Sequence, residues 1–161
     1  MQYLAHFESP LGEIFAVSDG ASITGLWFAD QTRVHVSRDQ TQLRESRPVF
    51  DQLDEWLTQY FDGRDPGPIP PVRTAGTPFQ ERVWAALRAI PYGGTTTYGT
   101  LAGQFGRPMS AQAVGGAVGH NPVALLIPCH RVVGSSGSLT GYAGGLWRKE
   151  KLLALEAAGK G

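Results

Sequence analysis

The sequence has little cysteine and no long apolar run. Cys129 is the single cysteine among 161 residues, so an internal disulfide and a zinc site built from thiolates are both excluded. The longest apolar runs, such as residues 123–127, are far too short to cross a bilayer, and residues 1–6 show no basic segment followed by an apolar stretch. These absences predict a cytoplasmic protein without a membrane anchor.

Acidic residues are scarce in the second half of the chain. Residues 1–75 contain 6 Lys and Arg against 11 Asp and Glu, whereas residues 76–161 contain 8 against 3, which gives net charges of about −5 and +5. A basic half is expected where a protein meets nucleic acid, but two domains whose charges match each other would give the same pattern. The charge distribution leaves both interpretations open.

Large apolar side chains are plentiful, so a disordered chain is not expected. Trp, Phe and Tyr number 4, 7 and 5, and hydrophobic residues make up 42% of the chain. Residues 3–8, 13–17 and 22–28 alternate apolar and polar side chains between turns, which predicts a three-stranded antiparallel meander. Apolar residues then recur at spacings of three and four over residues 49–61, which predicts an amphipathic helix capped by Gly63.

A proline-rich stretch, residues 65–71, separates the two halves. It sustains neither a helix nor a central strand, because proline lacks the amide donor and restricts the residue before it. We therefore predict an N-terminal sheet-plus-helix domain over residues 1–64, a linker over residues 65–76 and a C-terminal domain over residues 77–161.

The second half has the outline of a helix-turn-helix. Thr77 and Pro78 suit the cap and the first position of a leading helix. A short helix over residues 97–104, a turn at residues 106–108 and a helix from Ser110 to Gly119 then complete the outline.

The last of these helices, residues 111–119, is made almost entirely of small residues. Each glycine costs about 1 kcal/mol in helix propensity, so the composition needs a reason. Small side chains let a backbone approach another surface closely. The helix therefore either packs tightly within its own domain or lies against a ligand such as a nucleic-acid groove.

Cys129, His130 and Arg131 are the residues that suggest chemistry. They follow residues 123–127, which are predicted to form a short strand, and Pro128. A lone cysteine is usually a small buried hydrophobe, but an adjacent histidine can act as a base and an arginine supplies a positive field, and both favour the nucleophilic thiolate. Consecutive strand residues point to opposite faces, so cooperation between Cys129 and His130 needs a turn, which Pro128 can provide.

Glu156 is the candidate third member of this group. Leu152, Leu153 and Glu156 fall on one face of the last predicted helix, which directs the carboxylate toward the core. A buried carboxylate needs a partner, and orienting His130 would satisfy it and complete a Cys-His-Glu relay. A position at the edge of the apolar stripe, in contact with water, fits the same spacing.

Residues 127–132, with the sequence Ile-Pro-Cys-His-Arg-Val, carry a family resemblance. With Asn-Pro at residues 121–122 and Gly-Tyr-Ala-Gly-Gly-Leu at residues 141–146, the chain resembles the O6-alkylguanine-DNA alkyltransferases, or methylated-DNA protein-cysteine methyltransferases. The motif match is specific from about residue 77 to residue 156. The resemblance implies an α/β N-terminal domain with a ribonuclease-H-like antiparallel sheet plus helix, followed by a mostly α C-terminal domain with a winged helix-turn-helix-like DNA-binding motif.

The resemblance also implies single-turnover repair of double-stranded DNA that contains O6-alkylguanine, with activity on O4-alkylthymine left open. Cys129 matches the alkyl acceptor, His130 its water-linked base, Glu156 the acid that orients the histidine, and Asn121 the hinge before the active-site segment. The positions that match contacts to DNA or to the base are Tyr98, Ala111, Gln112, Ala113, Gly115, Arg131, Ser135, Ser136 and Tyr142.

Binding through the minor groove, with the target base flipped out of the duplex, follows from the same resemblance. No metal or organic cofactor is implied, because the alkyl group moves directly to sulfur. A monomer associated with the nucleoid is expected, and cooperative assembly along DNA stays open. Zinc-binding members use Cys and His ligands in the N-terminal domain, and with His6 and His35 alone there that site is not expected.

Gln112 departs from the family pattern. The family usually has an arginine there that fills the gap left by the flipped base. Glutamine can still hydrogen-bond the orphaned cytosine, but it brings no charge and has a shorter reach.

Two functions from other classes fit parts of the sequence. A non-catalytic protein that binds alkylated DNA would use the same helix-turn-helix, although alkyltransferase-like proteins of that kind replace the acceptor cysteine. A thiol hydrolase would use Cys129, His130 and Glu156, but it needs an oxyanion hole and turns over repeatedly. Stoichiometry separates these functions, because an alkyltransferase gives at most one event per molecule.

Overall fold

The computed structural model describes residues 2–31, 41–42, 48–106, 110–139 and 141–159. In chain order its elements are β1 (Gln2–Phe7), β2 (Ile14–Ser18), β3 (Ile23–Phe28), β4 (Thr41–Gln42), α1 (Pro48–Phe61), α2 (Pro78–Arg88), β5 (Thr96–Thr97), α3 (Tyr98–Gly103), α4 (Ala111–Gly119), a 3₁₀ turn (Cys129–Arg131), β6 (Val132–Val133) and α5 (Leu146–Gly159). Within the described ranges, no helix combines the length and the apolar character needed to cross a membrane.

The first half is a sheet with one helix, as the sequence predicts. β1, β2 and β3 form the antiparallel meander, and β4 pairs parallel to β1 at its far side, giving the order β3-β2-β1-β4. The apolar stripe of α1 is buried in the same core as the sheet. Gly63, with a φ of 82°, follows α1 and its amide donates to the Tyr60 carbonyl at 3.1 Å, which is the expected glycine cap. β4 was not predicted, because two residues carry no periodicity.

Two later segments of the chain cover the outer edge of β3. Ile23 donates to the Pro71 carbonyl at 2.7 Å and accepts from the amide of Arg73 at 3.0 Å, so the proline-rich stretch adds one isolated bridge to the sheet. Leu26 likewise donates to the Pro122 carbonyl at 3.0 Å and accepts from the amide of Ala124 at 3.0 Å. The segment that leads to Cys129 is thus anchored directly on the first-half sheet.

The helix-turn-helix outline is confirmed over the residues that the structure describes. Thr77 and Gln80 form a reciprocal capping box at the start of α2. Thr97 and Ser110 cap α3 and α4 by accepting hydrogen bonds from backbone amides three residues later, each at 3.0 Å. Part of the predicted turn, residues 107–109, lies outside the described residues.

The two faces of α4 have different surroundings. Val114, Ala117 and Val118 are buried, and Trp84 of α2 donates its indole N–H to the Ala117 carbonyl at 2.9 Å. A Cβ added at Gly116 or Gly119 would meet no atom within 4 Å. Packing inside the protein therefore explains the small residues on one face only, and the other face is open to a ligand.

Candidate active site

Residues 123–127 do not form the predicted strand. Val123 makes a single bridge to Leu26, and the chain then turns, with Leu125 at a φ of 71°. The Asn121 side chain holds this turn, since it donates to the Ile127 carbonyl at 2.7 Å and accepts from the Val123 amide at 2.9 Å. A turn that satisfies its own backbone groups in this way replaces the ladder of a strand, and it presents Cys129 at the start of a 3₁₀ turn.

Cys129 lies in the wall of a cavity of about 640 Å³, which is lined by the second half of the chain and by Gln31 from the first. Seven predicted site residues line this cavity: Tyr98, Ala111, Gln112, Gly115, Asn121, Cys129 and Tyr142. They come from α3, α4, the turn after α4 and the loop before α5, so segments distant in sequence meet at the thiol. The structure also places Ala124 and Val118 in the lining.

Other predicted residues lie outside this cavity. Ala113 is exposed on α4, and Ser135 and Ser136 form an exposed turn after β6. Arg131 was expected to contact DNA or the base, but only 7% of it is exposed and its guanidinium points into the protein. Its Nε donates to Glu156 at 2.7 Å and its Nη1 to the Ile90 carbonyl at 2.8 Å, so we correct its assignment to a structural one.

His130 and Glu156 meet in the interior behind Cys129. His130 Nε2 lies 2.5 Å from Glu156 Oε2, and both side chains are almost completely buried. The inward orientation of Glu156, rather than the edge position, is the one that the structure adopts. The remaining ring nitrogen, His130 Nδ1, is buried without a hydrogen-bond partner among the described residues, so it is the nitrogen left to exchange a proton.

The protonation states of these groups follow from burial and from their partners. Burial raises the pKa of Glu156, but hydrogen bonds from His130, Arg131 and Tyr60 outweigh it and lower that pKa to about 2. Burial lowers the pKa of His130, and the charges of Arg131 and Lys149 lower it further, although Glu156 opposes them. At neutral pH the site therefore holds a carboxylate beside a neutral imidazole.

The thiol is not activated in the way the sequence suggested. Burial raises the pKa of Cys129, while the Asn121 side chain and the charge of Lys149 limit the rise. Arg131 is not among the groups that lower the pKa of the thiol, because its guanidinium is engaged by Glu156. Lys149 is buried at the start of α5, with its Nζ 5.8 Å from the centre of the Tyr98 ring and 3.4 Å from the Gly141 carbonyl.

Sequence reasoning missed three contributors to the site. Gln31, just after β3, lines the cavity, and its side-chain oxygen accepts from the Phe28 amide at 2.7 Å. Tyr60 of α1 donates to Glu156, and the charge of Lys149 on α5 lowers the pKa of the thiol. Gln31 and Tyr60 belong to the first half of the chain, and nothing in their local pattern indicates contact with residues about 70 or more positions away.

Arg148 joins the loop before α5 to the first half of the chain. Its Nε donates to the Leu11 carbonyl at 2.9 Å, and its Nη1 donates to Asp30 at 2.5 Å and to the Gly144 carbonyl at 3.0 Å. The guanidinium also lies 4.2 Å from the centre of the Phe28 ring. Gly144 lines the cavity, so Arg148, which contacts both Gly144 and the first half of the chain, fixes one wall of the site to the sheet.

Both halves of the chain match family models. Residues 3–67 match the 6-O-methylguanine DNA methyltransferase ribonuclease-like domain, and residues 78–158 match the 6-O-methylguanine DNA methyltransferase DNA binding domain. The chain belongs to the 6-O-methylguanine DNA methyltransferase family. Cys129, His130 and Glu156 lie within the segment that matches the DNA binding domain, whereas Gln31, Tyr60 and Asp30 lie within the segment that matches the ribonuclease-like domain.

Relatives in this family are similar over most of the chain. The methylated-DNA–protein-cysteine methyltransferase of Mycobacterium tuberculosis H37Rv is 43% identical over 149 residues, which are 92% of this chain and 88% of the relative. The protein of the same name from Haemophilus influenzae is 39% identical over 155 residues, 96% of this chain and 86% of the relative. The crystal structure of Mycobacterium tuberculosis OGT in complex with DNA has a TM-score of 0.88 at 41% identity and covers 98% of this chain and 94% of that one.

The N-terminal half of this family member holds a group of exposed potential ligands. His6, Glu8 and Glu13 offer one ligand atom each within 4.8 Å of one another, and none of the three lines the cavity at Cys129. Exposed acidic groups of this kind occur commonly without a metal. His35 lies outside the described residues.

Proposed function

We propose that this chain repairs O6-alkylguanine in double-stranded DNA by moving the alkyl group from guanine O6 to Cys129 Sγ. The observation that carries the proposal is the position of Cys129: the thiol lies in a cavity that is bordered by the helix-turn-helix and backed by the His130–Glu156 pair. The names of the mycobacterial and Haemophilus relatives describe methyl transfer from methylated DNA to a protein cysteine, which supports the proposal.

In the proposed reaction, Sγ attacks the alkyl carbon as the bond between that carbon and O6 breaks. The thiol proton leaves toward His130, through a water, and the electron pair of the broken bond stays on guanine, which takes up one proton in return. Glu156 stabilises the transient charge on the imidazole. A neutral His130 suits this role, because a ring that already carried two protons could not accept another. The thioether is inert and the chain has no second cysteine, so each molecule reacts once.

DNA would approach the open face of α4. O6 of a paired guanine cannot reach a thiol in a cavity wall, so the nucleotide must rotate out of the duplex, at a cost of a few kcal/mol. The bare backbone at Gly116 and Gly119 supports close contact with a minor groove, and it carries no side chain that would read sequence. We assign Tyr98 to the phosphate of the rotated nucleotide, Gln112 to the gap it leaves and Tyr142 to the pocket wall.

The remaining assignments are also proposals. Ser135 and Ser136 would form a lid that orders on the base, and Ala113 would face the groove. We retain the division of the chain into residues 1–64, 65–76 and 77–161. We place the protein on the nucleoid of the cytoplasm, acting as a monomer.

Intact mass measurement tests the proposed function. After incubation with a duplex that contains O6-methylguanine, we expect the protein to gain one methyl group, at most once per molecule, and the Cys129→Ser variant to gain none. The unmodified duplex is the control for non-specific mass changes. A protein that binds the lesion duplex without any gain would instead be a non-catalytic lesion-binding protein, and repeated turnover on an ester would indicate a hydrolase.

The Gln112→Arg variant is expected to bind duplex DNA more tightly and to react a few-fold faster than the native chain. Arginine adds a positive charge and a longer donor to the exposed start of α4, where it can reach both the phosphates and the orphaned base. The measurement is single-turnover rate and duplex affinity at two salt concentrations. Equal values for both forms would rule out the idea that Gln112 limits this protein.

A further inference from the structure

The Glu156 carboxylate receives four hydrogen bonds. Oε1 accepts from Arg131 Nε at 2.7 Å and from the Gly93 amide at 3.0 Å. Oε2 lies 2.5 Å from His130 Nε2 and accepts from the Tyr60 hydroxyl at 2.5 Å. Among these four donors, the Tyr60 hydroxyl is the one that comes from the first half of the chain.

The Tyr60 ring is held rigidly. It is fully buried and stacks on Trp56, with ring centres 5.2 Å apart and planes at 10°. The edges of Phe61 and Tyr92 pack against it at 5.2 and 6.1 Å. A phenol ring has its hydroxyl fixed along its axis, so these contacts also fix where the hydroxyl oxygen lies.

The Tyr60 oxygen, His130 Nε2 and Glu156 Oε2 form a compact triangle. The Tyr60 oxygen lies 3.4 Å from His130 Nε2, and both atoms approach the same carboxylate oxygen. When Nε2 carries its proton, both protons of the triangle point to Oε2. Tyr60 then takes up part of the negative charge that Oε2 presents to the imidazole, and it prevents the carboxylate from rotating away.

We propose that Tyr60 is a positioning residue for alkyl transfer: its phenol, reaching from the ribonuclease-like half, holds Glu156 in the orientation that serves His130. The proposal rests on the proposed function and adds a fourth member to the relay. It gives the first half of the chain a direct part in the chemistry. It also explains why a tyrosine, rather than an apolar residue, fills a completely buried position in the stripe of α1.

Several ionisable groups face the triangle and set the background for its titration. They are Tyr92 and Arg131 beside the carboxylate, and Cys129, Tyr142 and Lys149 on the side of His130. A variant that tests Tyr60 should leave all the others in place. Tyr60→Phe does so, because it removes one oxygen and keeps the ring.

The test is the single-turnover rate of methyl transfer to Cys129 as a function of pH. In Tyr60→Phe we expect the rate at pH 7 to fall about 5-fold, which is less than the full loss of a hydrogen bond to a charged group because three other donors still hold the carboxylate. We also expect the acid limb of the pH profile to move to higher pH. Without Tyr60, Oε2 presents its full charge to His130, so the imidazole holds a second proton up to a higher pH and stops acting as a base.

Trp56→Phe is the matched control. It disturbs the same stack, but the Trp56 indole N–H points to the Gly67 carbonyl at 3.4 Å and not to the relay. We expect a lower Tm and an unmoved pH profile. If Tyr60→Phe also lowers only the Tm, while its rate and acid limb match those of the native chain within 2-fold, Tyr60 is merely structural and the proposal is overturned.

A second measurement, titration of His130, tests the proposal even if Tyr60→Phe does not fold or alkyl transfer cannot be followed. Site-specific 3-fluorotyrosine at position 60 keeps the shape of the residue and makes its hydroxyl a stronger donor. NMR titration of the His130 ring should then show a shift to lower pH than in the native chain, opposite in sign to Tyr60→Phe. No difference between the fluorinated and native proteins would overturn the proposal. Failure of the native chain to gain a methyl group would instead overturn the proposed function.

Discussion

Glu156→Gln is expected to slow alkyl transfer to Cys129 by at least about 100-fold at pH 7 and to lower the free energy of unfolding by about 3 kcal/mol. The four groups that contact the Glu156 carboxylate all act as hydrogen-bond donors to it. The amide nitrogen of glutamine would have to face one pair of them, and the buried Arg131 guanidinium would lose its counter-charge. His130 would also lose the anion that stabilises its protonated form. Single-turnover assays measure the rate of alkyl transfer, and urea unfolding measures the free energy of unfolding.

Glu150→Gln is the control for this change. Glu150 lies on the same helix, α5, but is exposed, and its neutralisation should alter rate and stability little. The acid stability profile gives a further check. The pKa of Glu156 is lowered to about 2 in the folded chain, so its stabilisation is present above about pH 4.5 and is lost as the pH falls toward 2. An equal loss of stability over that range in Glu156→Gln would show that another group is responsible.

Arg148→Met is expected to lower the free energy of unfolding by about 3 kcal/mol and to slow alkyl transfer by at least about 10-fold. The change leaves the carbonyls of Leu11 and Gly144 without their donor and removes the cation from the Phe28 ring. Gly144 then loses its attachment to the sheet, so the cavity wall beside Cys129 becomes mobile. Methionine replaces the unbranched apolar stem of the arginine side chain, which separates the lost hydrogen bonds from lost packing.

Arg64→Met provides the contrast. Arg64 pairs with Asp62 at 3.2 Å, but its side chain is 74% exposed, and we expect a change of less than about 1 kcal/mol with an unchanged rate. If Arg148→Met changes the free energy of unfolding and the rate of alkyl transfer as little as Arg64→Met does, the contacts of Arg148 with the first half of the chain do not stabilise the cavity wall. A loss of stability with a native rate would confine Arg148 to folding.

Local signals predicted most of the secondary structure. The alternation over residues 3–28, the cap at Thr77 and the helix that begins near Ser110 are predicted correctly, because each depends on side chains within a few positions of one another. The same reasoning was wrong for residues 123–127, which form a turn and not the predicted strand. Their apolar character reflects burial from several sides, and burial in a turn is indistinguishable by composition from burial in a strand.

The candidate site shows the same division. The motif around Cys129 indicates a reactive thiol and the family, and the spacing on α5 brings Glu156 inward as one of two options. Which cation acts on the thiol could not be predicted. Arg131 is the neighbour in sequence, yet in a 3₁₀ turn its side chain points to Glu156, and it is the charge of Lys149 on α5 that lowers the pKa of Cys129.

The sequence by itself determined most of the helices and strands, the thiol, the family motif and the small-residue helix, because these depend on residue type and short spacing. Only the tertiary structure decided that Glu156 is buried, that Arg131 serves it, and that Tyr60, Gln31 and Arg148 connect the first half of the chain to the site. Those contacts join residues that are from about 25 to nearly 140 positions apart. Their positions depend on how sheet and helices pack, and hydrogen bonds such as the one from Leu26 to Pro122 fix that packing.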